Sequence, residues 1–289
     1  MALSFLHALR SAVRHVAFNP KMLIGSALLL LLFLIGTLGP FFVDLHMSEP
    51  ISVRTNMPPS TEHLLGSDSG GRDLLAVMIA ATPQTLRMGF IAGFVGVVLG
   101  TLIGMAAGYK GGWIDRILSG VTDTMLTIPP LAILLVVAAA VRSVTVEMMA
   151  LIIASLSWMF AARVVRSQVL SLREANFVQM ARLSGMGDLR IMAQEILPNI
   201  IPIVFAALVG AVSGAILSGM ALEVLGLGPQ ETPTLGMTIY WALLYGAFSR
   251  GMWWWWGPPI LVMALLFIAL FLISSALDDI ANPRLRSAR

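Results

Sequence analysis

Residues 171–199 read S-L-R-E-A-N-F-V-Q-M-A-R-L-S-G-M-G-D-L-R-I-M-A-Q-E-I-L-P-N and separate two long apolar regions of the chain. Ser171, followed three residues later by Glu174, predicts a capping box at a helix start. Gly185 predicts the end of that helix, because glycine adopts the left-handed conformation at little cost. Asp188 then predicts the N-cap of a second short helix. The segment therefore predicts a helix–glycine–helix elbow.

The elbow combines apolar and basic side chains. Phe177, Val178 and Ala181 recur at helical spacing, and Arg182 follows them. The second helix runs toward Pro198, where the next apolar region begins. Such an elbow suits docking into a groove on a soluble partner, whose rigid-body movement it would pass on.

The apolar regions around the elbow predict an all-α membrane protein. The 289 residues are 58% hydrophobic and only 11% charged, with a mean hydropathy of +0.89, whereas soluble domains carry about a quarter charged residues. Each long apolar stretch can cross about 30 Å of hydrocarbon. Four stretches are uncharged, and two weaker ones contain Asp123 with Pro129-Pro130, or Glu147 and Arg163. The six predicted transmembrane helices are Met22–Val43, Met88–Gly108, Ile117–Val141, Val144–Val165, Ile196–Leu222 and Gly251–Leu277.

The distribution of basic residues predicts the orientation. If both termini lie on one side, thirteen of the 18 basic residues fall on that side, and the positive-inside rule makes it cytoplasmic. These residues are Arg10, Arg14, Lys21, Lys110, Arg116, Arg163, Arg166, Arg173, Arg182, Arg190, Arg284, Arg286 and Arg289. The other side holds Arg54, Arg72, Arg142 and Arg250, and Arg87, at the mouth of the second span, is ambiguous.

This orientation divides the chain into five parts. We predict a cytoplasmic segment at 1–21, a first span at 22–43, an external segment with a surface helix at 44–87, a core of five spans at 88–277 that includes the coupling segment 169–199, and a cytoplasmic tail at 278–289.

The residue inventory excludes several kinds of enzyme. The chain has no cysteine, so thiolate metal sites and cysteine nucleophiles are absent. His7, His15, His46 and His63 all lie outside the predicted spans, which removes buried serine–histidine pairs and zinc helices. No G-x-x-x-x-G-K-[ST] phosphate loop occurs, so any ATP hydrolysis must come from a partner. We therefore predict no catalytic residue, metal site or cofactor in this chain.

The second span carries glycines at mostly four-residue spacing. This spacing predicts a helix face without side chains, where another helix approaches closely. Static packing and a seam that slides during gating both need the same residues. The glycines are Gly89, Gly93, Gly96, Gly100, Gly104 and Gly108.

Ionisable and aromatic residues in or beside the spans leave two interpretations each. Asp123, about two helical turns from the cytoplasmic end, is either an anchor to a neighbouring backbone or to Arg116, or a contact on a substrate path; Glu223 has the same alternatives. The aromatic residues near the outer boundary are either an interfacial belt or a stacking platform for a sugar or aromatic side chain. They are Tyr240, Trp241, Tyr245 and Trp253–Trp256.

At the elbow the chain resembles a known family. Gln179-Met180-Ala181, then Gly185 and Leu197-Pro198, are similar to the E-A-A-x-x-x-G…L-P signature of permease subunits of ABC-type importers. Residues 58–73, P-P-S-T-E-H-L-L-G-S-D-S-G-G-R-D, resemble the external segment of the dipeptide/oligopeptide/nickel group. Further similar segments are Gly108–Asp115, Asp123–Pro129, Leu225–Gly228, Leu277–Asp279 and Asn282–Arg284. The chain is most similar to the second, C-type permease subunit of that group.

The resemblance implies a type I ABC importer permease fold, in a prokaryotic plasma (inner) membrane. It implies a heterodimer with a homologous permease, elbows seated on two ATPase subunits that bind ATP and Mg, and an external substrate-binding protein. The implied coupling residues are Phe177, Val178, Gln179, Met180, Ala181, Arg182 and Gly185, with Asp188, Leu197 and Pro198 fixing the elbow. Asp123, Pro129, Glu223 and Trp253 are candidates for the substrate path or its gate. The implied external motif comprises Gly66, Asp68, Gly71, Arg72 and Asp73.

The chain departs from the family pattern at two places. Gln179-Met180 replaces the usual Glu-Ala, which removes a glutamate that would pair with the ATPase. Gly219 stands where the family often has Glu, and Glu223 where it often has Ser, as if the acid had moved one turn along the helix. The external motif has two readings. It is either a structural bend that lays Leu74–Arg87 along the outer surface, or a contact with the binding protein.

Rival functions make different demands on the sequence. A secondary carrier or channel predicts ionisable groups deep in several spans, whereas Asp123 is the only acid within an otherwise apolar span and lies near its end. An intramembrane hydrolase lacks its catalytic residues, and a non-transporting scaffold stays open. The substrate suggested by the resemblance is a short peptide, with nickel chelates, opines, glutathione and oligosaccharides as alternatives.

Overall fold

The computed structural model describes residues 19–141 and 143–281, with side chains to residue 277. The helices are α1 (Pro20–Leu38), α2 (Leu74–Lys110), α3 (Gly112–Thr127), α4 (Pro130–Ala140), α5 (Val146–Leu172), α6 (Asn176–Leu183), α7 (Asp188–Ile191), α8 (Leu197–Val224), α9 (Leu235–Leu244) and α10 (Trp253–Ala281). A π-helical turn, Met192–Ile196, joins α7 to α8. Predicted features outside the described residues are Arg10, Arg14, Arg142, Arg284, Arg286, Arg289 and the family-like Asn282-Pro283-Arg284.

The described helices account for the predicted spans. Five of them are long and apolar enough to cross a membrane, and the pair α3 and α4 makes a sixth if it is one span bent by 82°. The bend lies at Ile128 and Pro129, both of which have extended backbone. Proline disfavours helical geometry in the residue before it and has no amide hydrogen to donate. The prolines that weakened this span in the sequence therefore break it in the structure.

Helix α2 is longer than predicted, and the surface helix expected at Leu74–Arg87 is wrong. Residues 74–110 form one continuous helix that contains Pro83. Its first turns are buried rather than laid on a surface, since Leu74 is 1% and Val77 2% exposed, packed against α9, α10 and α1. The apolar face of the second span thus continues for four turns before the position where the sequence predicted its start.

The glycine face of α2 is a packing seam, as predicted, and it serves two neighbouring helices. A Cβ atom on Gly93 would lie 2.7 Å from the backbone nitrogen of Val212 in α8. A Cβ atom on Gly100 would lie 2.4 Å from the carbonyl oxygen of Trp158 in α5. The other seam glycines are in similarly close contact with one or the other helix. Helix α2 therefore forms the centre of the bundle, between α5 and α8.

Charged residues within the weaker spans are paired across helices. Arg163 of α5 donates to Asp123 of α3 at 2.6 Å, so the anchor predicted for Asp123 exists, but not through Arg116. Glu147, at the start of α5, pairs with Arg87 of α2 at 2.9 Å. Glu147 and Arg163 made Val144–Val165 a weaker prediction of a span. In the structure each of them has a partner on an adjacent helix.

The aromatic residues cluster at the end of the bundle where α10 begins. Trp255 is only 1% exposed and stacks on Tyr245, so it cannot belong to a belt facing lipid headgroups. Trp254 donates to the carbonyl oxygen of Ser67 at 3.4 Å. Trp253 remains 58% exposed. Four consecutive residues point around a full helical turn, so the run cannot present one common surface.

Candidate functional site

The elbow lies between α5 and α8 and begins later than predicted. Helix α5 continues to Leu172, so Ser171 lies in its last turn, and the predicted capping box is wrong. Helix α6 starts at Asn176 without a side-chain cap. Val165 and Val169 are fully buried, and they extend the packed face of α5 past its predicted end. Tertiary packing therefore overrides the local capping signal.

Gly185 ends α6, as predicted. Its φ angle is +80°, the left-handed region that side chains rarely adopt. The amide of Gly185 donates to Arg182 at 3.0 Å, and the amide of Met186 donates to Ala181 at 3.1 Å. This pair of hydrogen bonds is a Schellman motif. No described atom lies within 4 Å of the position that a Cβ would take on Gly185, so the requirement for glycine is conformational.

Asp188 does not cap the second helix of the elbow, contrary to the prediction. Gly187 occupies the N-cap position, and Asp188 is the first residue of α7. The Asp188 carboxylate instead accepts hydrogen bonds from the Tyr109 hydroxyl at 3.0 Å and from Lys110 Nζ at 2.6 Å. Helix α7 passes through the π-helical turn into α8, of which Pro198 is the second residue. Because the helical chain is continuous here, Pro198 leaves one carbonyl of the preceding turn without a backbone donor.

One side of the elbow is fixed to the bundle. Val178 and Ile191 are fully buried, together with Ile196 at the π-helical turn, against Val165 and Met105. Phe177, Ala181 and Leu197 pack at the edge of this cluster. The inward face of the elbow thus joins α6 and α7 to α2 and α5.

The opposite side of the elbow is apolar and uncovered by any described residue. Met180 is 64%, Leu183 84% and Leu189 79% exposed. Of the predicted coupling residues, Met180 lies on this face, whereas Gln179 is half-buried and its amide donates to the carbonyl oxygen of Arg173 at 3.5 Å. The sequence interpretation missed Leu183 and Leu189. The three-residue spacing of Met180 and Leu183, opposite Val178, was the available signal.

A groove beside the α3–α4 bend was also missed. It encloses about 300 Å³ between α3, α4, α5 and α8 and is lined mainly by apolar and small side chains. Pro130 and Leu134 line one wall, and Ser157 and Phe160 of α5 another. The α8 wall consists of Ala207, Gly210, Ala211, Gly214, Ala215 and Ser218. Their three- and four-residue spacing, on one face of α8, was the signal in the sequence.

Glu223 lies fully buried near the end of α8. Within the described residues, neither carboxylate oxygen has a hydrogen-bond partner of normal geometry, so the anchor considered for Glu223 from the sequence is not formed. Gly228 and Gly236 lie against its side chain, where a Cβ atom would approach to 2.7 and 2.2 Å. A Cβ atom on Gly219, one turn earlier, would lie 2.3 Å from the terminal methyl group of Met88, so a side chain at that position would require Met88 to move.

The motif at residues 66–73 forms a turn and a helix cap at the end of the bundle away from the elbow. Asp68 accepts from the amides of Gly70 and Arg72 at 2.8 and 2.9 Å, and its burial raises the pKa of its carboxyl group. Asp73 caps α2 through the amide of Ala76 at 2.9 Å, and His63 lies 2.6 Å from its second oxygen. The motif therefore forms a bend and a helix cap, although α2 is not laid along the surface, and contact with a binding protein stays a prediction.

Two further glycines in that motif are required by conformation. Gly66 and Gly71 have φ angles of +67° and +71°. A Cβ atom on Gly66 would lie 2.4 Å from the carbonyl oxygen of Met57, and one on Gly71 would lie 2.7 Å from that of Val53. Both glycines therefore hold residues 51–57 against the start of α2.

Comparisons with known proteins agree with this architecture. Residues 100–287 match the family model described as binding-protein-dependent transport system inner membrane component. The chain is 30% identical to a dipeptide transport system permease protein of Alkalihalophilus pseudofirmus, over 96% of this chain and 90% of that protein. It is 29% identical to an oligopeptide transport system permease protein of Mycobacterium bovis, over 96% and 95% of the two chains.

A solved structure has the same fold. An inward-facing conformation of the MetNI methionine ABC transporter contains a chain that superposes with a TM-score of 0.54 at 20% identity. The superposition covers 74% of this chain and 96% of the other. The chain therefore has the fold of a type I ABC importer permease, with no catalytic role of its own, and it belongs to the family of inner membrane components of binding-protein-dependent transport systems.

Proposed function

We propose that this chain forms half of the translocation pathway of an ATP-driven importer for short peptides. Its partner in the membrane is a homologous permease, and its elbow docks on one of two ATPase subunits. The observation that carries the proposal is the elbow itself. Met180, Leu183 and Leu189 form an exposed apolar surface on helices whose other face is anchored in the bundle.

Energy enters through the ATPase subunits, which bind ATP and Mg. The sequence has no phosphate-binding loop, so this chain contributes a mechanical step. When the ATPases move together, the elbow moves as a rigid body because its inward face is buried against α2 and α5. Helix α7 continues into α8, so the displacement reaches the α8 wall of the groove directly. The two permeases then expose the pathway to one side of the membrane at a time.

The pathway is proposed to run along the groove formed by α3, α4, α5 and α8. Small residues on α8 leave the groove open. Its uncharged polar side chains are those of Ser157 and Ser218. Within the part of the chain that the structure describes, no ionised side chain lines it. Such a wall lets varied side chains pass without binding one charge tightly, which fits a carrier of short peptides whose selection is made by the external binding protein.

Peptides are favoured as substrate because relatives that match nearly the whole chain are named as dipeptide and oligopeptide permeases. Oligosaccharides, opines, glutathione and nickel chelates are the alternatives. Of the four consecutive tryptophans, only Trp253 is exposed, and Trp255 is buried in the protein. A stacking platform for a sugar therefore has little aromatic surface in this state, which weakens the oligosaccharide alternative.

The orientation proposed here puts the elbow and both termini in the cytoplasm. It follows from the excess of basic residues on the elbow side. The turn at residues 66–73 then faces outward, where the binding protein would deliver substrate. Arg250 donates to Ser69 at 3.0 Å and links this turn to the segment before α10. Contact of the binding protein with the turn would therefore act on both α2 and α10.

Gentle extraction of the tagged chain tests the proposal. We expect it to retain one homologous permease and P-loop ATPases in about equal amounts. The purified complex, reconstituted in vesicles together with the external binding protein, should take up labelled peptide only when ATP is present on the side of the ATPase subunits. Recovery of the chain alone, under conditions that preserve a known ABC complex, would favour an ATPase-independent carrier. Uptake of labelled sugar but not peptide would reassign the substrate.

A further inference from the structure

The turn between α2 and α3 contacts both helices of the elbow. It is formed by residues 108–112, G-Y-K-G-G, and is followed by Asp115 in the first turn of α3. This segment resembles the family sequence, but the proposed function assigns it no role. Its contacts define what it does. We call residues 108–115 the α2–α3 turn.

Asp188 is the point where the turn meets α7. Its two carboxylate oxygens are used separately, one by Tyr109 at 3.0 Å and the other by Lys110 at 2.6 Å. On α6, the guanidinium carbon of Arg182 lies 5.6 Å from the centre of the Tyr109 ring, within cation–π distance. Two adjacent residues of the turn thus contact both helices of the elbow.

Arg173 makes the next contact, just after α5. Its Nη1 donates to the carbonyl oxygen of Gly108 at 3.1 Å. The φ angle of Gly111 is +66°, and a Cβ there would lie 2.9 Å from the same Nη1 atom. The absence of a side chain at Gly111 therefore leaves room for the Arg173 guanidinium.

Asp115 completes the set by pairing with α5. Both of its carboxylate oxygens accept hydrogen bonds from Arg166, and the one to Nη2 is 2.8 Å long. Arg–carboxylate pairs of this two-point kind fix orientation as well as distance. The start of α3 is therefore tied to α5 while its preceding turn is tied to α6 and α7.

We propose that the α2–α3 turn is a transmission element, in which Lys110 and Asp188 are positioning residues that carry elbow movement into α3 and on to the Pro129 bend. This inference rests on the proposed function. The direct route from α7 to α8 moves one wall of the groove. The turn moves the opposite wall, because α3 leads through the bend to α4, whose Pro130 and Leu134 line the groove. Opening the pathway requires both walls to respond to the same elbow displacement.

The charge pair between Lys110 and Asp188 allows a direct test in the complete complex. Lys110→Met keeps an unbranched side chain as far as the ε position and removes the charged amino group. We expect normal amounts of ATPase subunits to co-purify and ATP hydrolysis to continue, while peptide uptake per ATP hydrolysed falls at least about fivefold, the lower end of typical coupling between sites. Lys110→Arg should retain coupling, and the exchange Lys110→Asp with Asp188→Lys should restore most of it.

Arg116→Met is the matched control, because Arg116 is an exposed basic residue near the start of α3 whose side chain pairs with none of the described residues. It should leave uptake per ATP unchanged. Normal coupling in Lys110→Met would overturn the proposal, and so would failure of the charge exchange to restore coupling. Loss of ATPase subunits from the Lys110→Met complex would also overturn it, since the pair would then build the docking surface. Absence of ATP-driven uptake in the unmodified complex would instead refute the proposed function.

Discussion

Gly236 lies against Glu223 so closely that a Cβ atom on the glycine would be 2.2 Å from Oε2 of the acid. The acid is fully buried, and the Thr234 hydroxyl and the Gly236 amide are the polar groups that face it. An acid without a well-formed hydrogen bond is costly to bury. Its position is therefore maintained by the packing of the segment that joins α8 to α9.

This relationship predicts a non-additive pair of substitutions. Gly236→Ala should lower the free energy of unfolding by about 1–3 kcal/mol, because the added methyl group overpacks the site. Glu223→Ala removes the atoms that it would strike, so Gly236→Ala should cost much less in that background. Thermal unfolding of the four purified complexes measures the cycle. Equal costs of Gly236→Ala in both backgrounds would contradict the close contact.

Gly185 provides a test of the elbow that separates backbone conformation from side-chain volume. A left-handed conformation costs most L-residues about 1–2 kcal/mol, and asparagine adopts it more readily. Because no described atom lies near the potential Cβ, Gly185→Asn should retain most uptake. Gly185→Val should insert normally but lose coupled uptake. Membrane content and ATP-driven peptide uptake measure the two effects, and normal uptake by Gly185→Val would refute the elbow as coupling element.

The sequence allowed the spans, the glycine seam and the Gly185 turn to be predicted because each depends on short-range periodicity or on one backbone conformation. The partner of Asp188 could not be predicted in the same way, since Lys110 lies 78 residues away in the sequence. The residues next to Asp188 fitted a role as a helix N-cap equally well. Ser171 failed as a cap for a related reason. The buried residues Val165 and Val169 extend α5, and their partners come from α2 and α8.

The exposed apolar face of the elbow predicts a specific loss of partner binding. Leu183→Glu places a charge on a residue that is 84% exposed, so the chain itself should fold, while an apolar groove on an ATPase would reject the carboxylate. We expect the homologous permease to co-purify and the ATPases to be lost. Leu64→Glu is the control, because Leu64 is 63% exposed at the other end of the bundle. Retention of the ATPases by Leu183→Glu would place their docking surface elsewhere.

The glycine seam predicts a difference between two alanine substitutions in helices. Gly100→Ala brings a methyl group to 2.4 Å from the Trp158 carbonyl oxygen and should lower stability by about 1–3 kcal/mol. Gly120→Ala, in α3, meets no described atom within 4 Å and gains helix propensity. The thermal unfolding temperature of the Gly100→Ala complex should therefore fall, whereas that of the Gly120→Ala complex should rise or stay unchanged. An equal loss in both would mean that helical glycine matters here for reasons other than close packing.

The groove along α8 predicts where a thiol reagent blocks transport. The native chain has no cysteine, so Gly214→Cys introduces its sole thiol, and no described atom within 4 Å of the Gly214 Cβ position opposes it. With cysteine-free partner subunits, a bulky polar maleimide should label this thiol and stop peptide uptake. ATP-driven cycling should change the labelling rate, because alternating access exposes the groove first to one side of the membrane and then to the other. Leu64→Cys, at an exposed position outside the groove, should react at one rate in every state. If Gly214→Cys reacted fully without loss of uptake, peptide would have to cross along another face of the bundle, since a group of that size would fill much of a 300 Å³ groove.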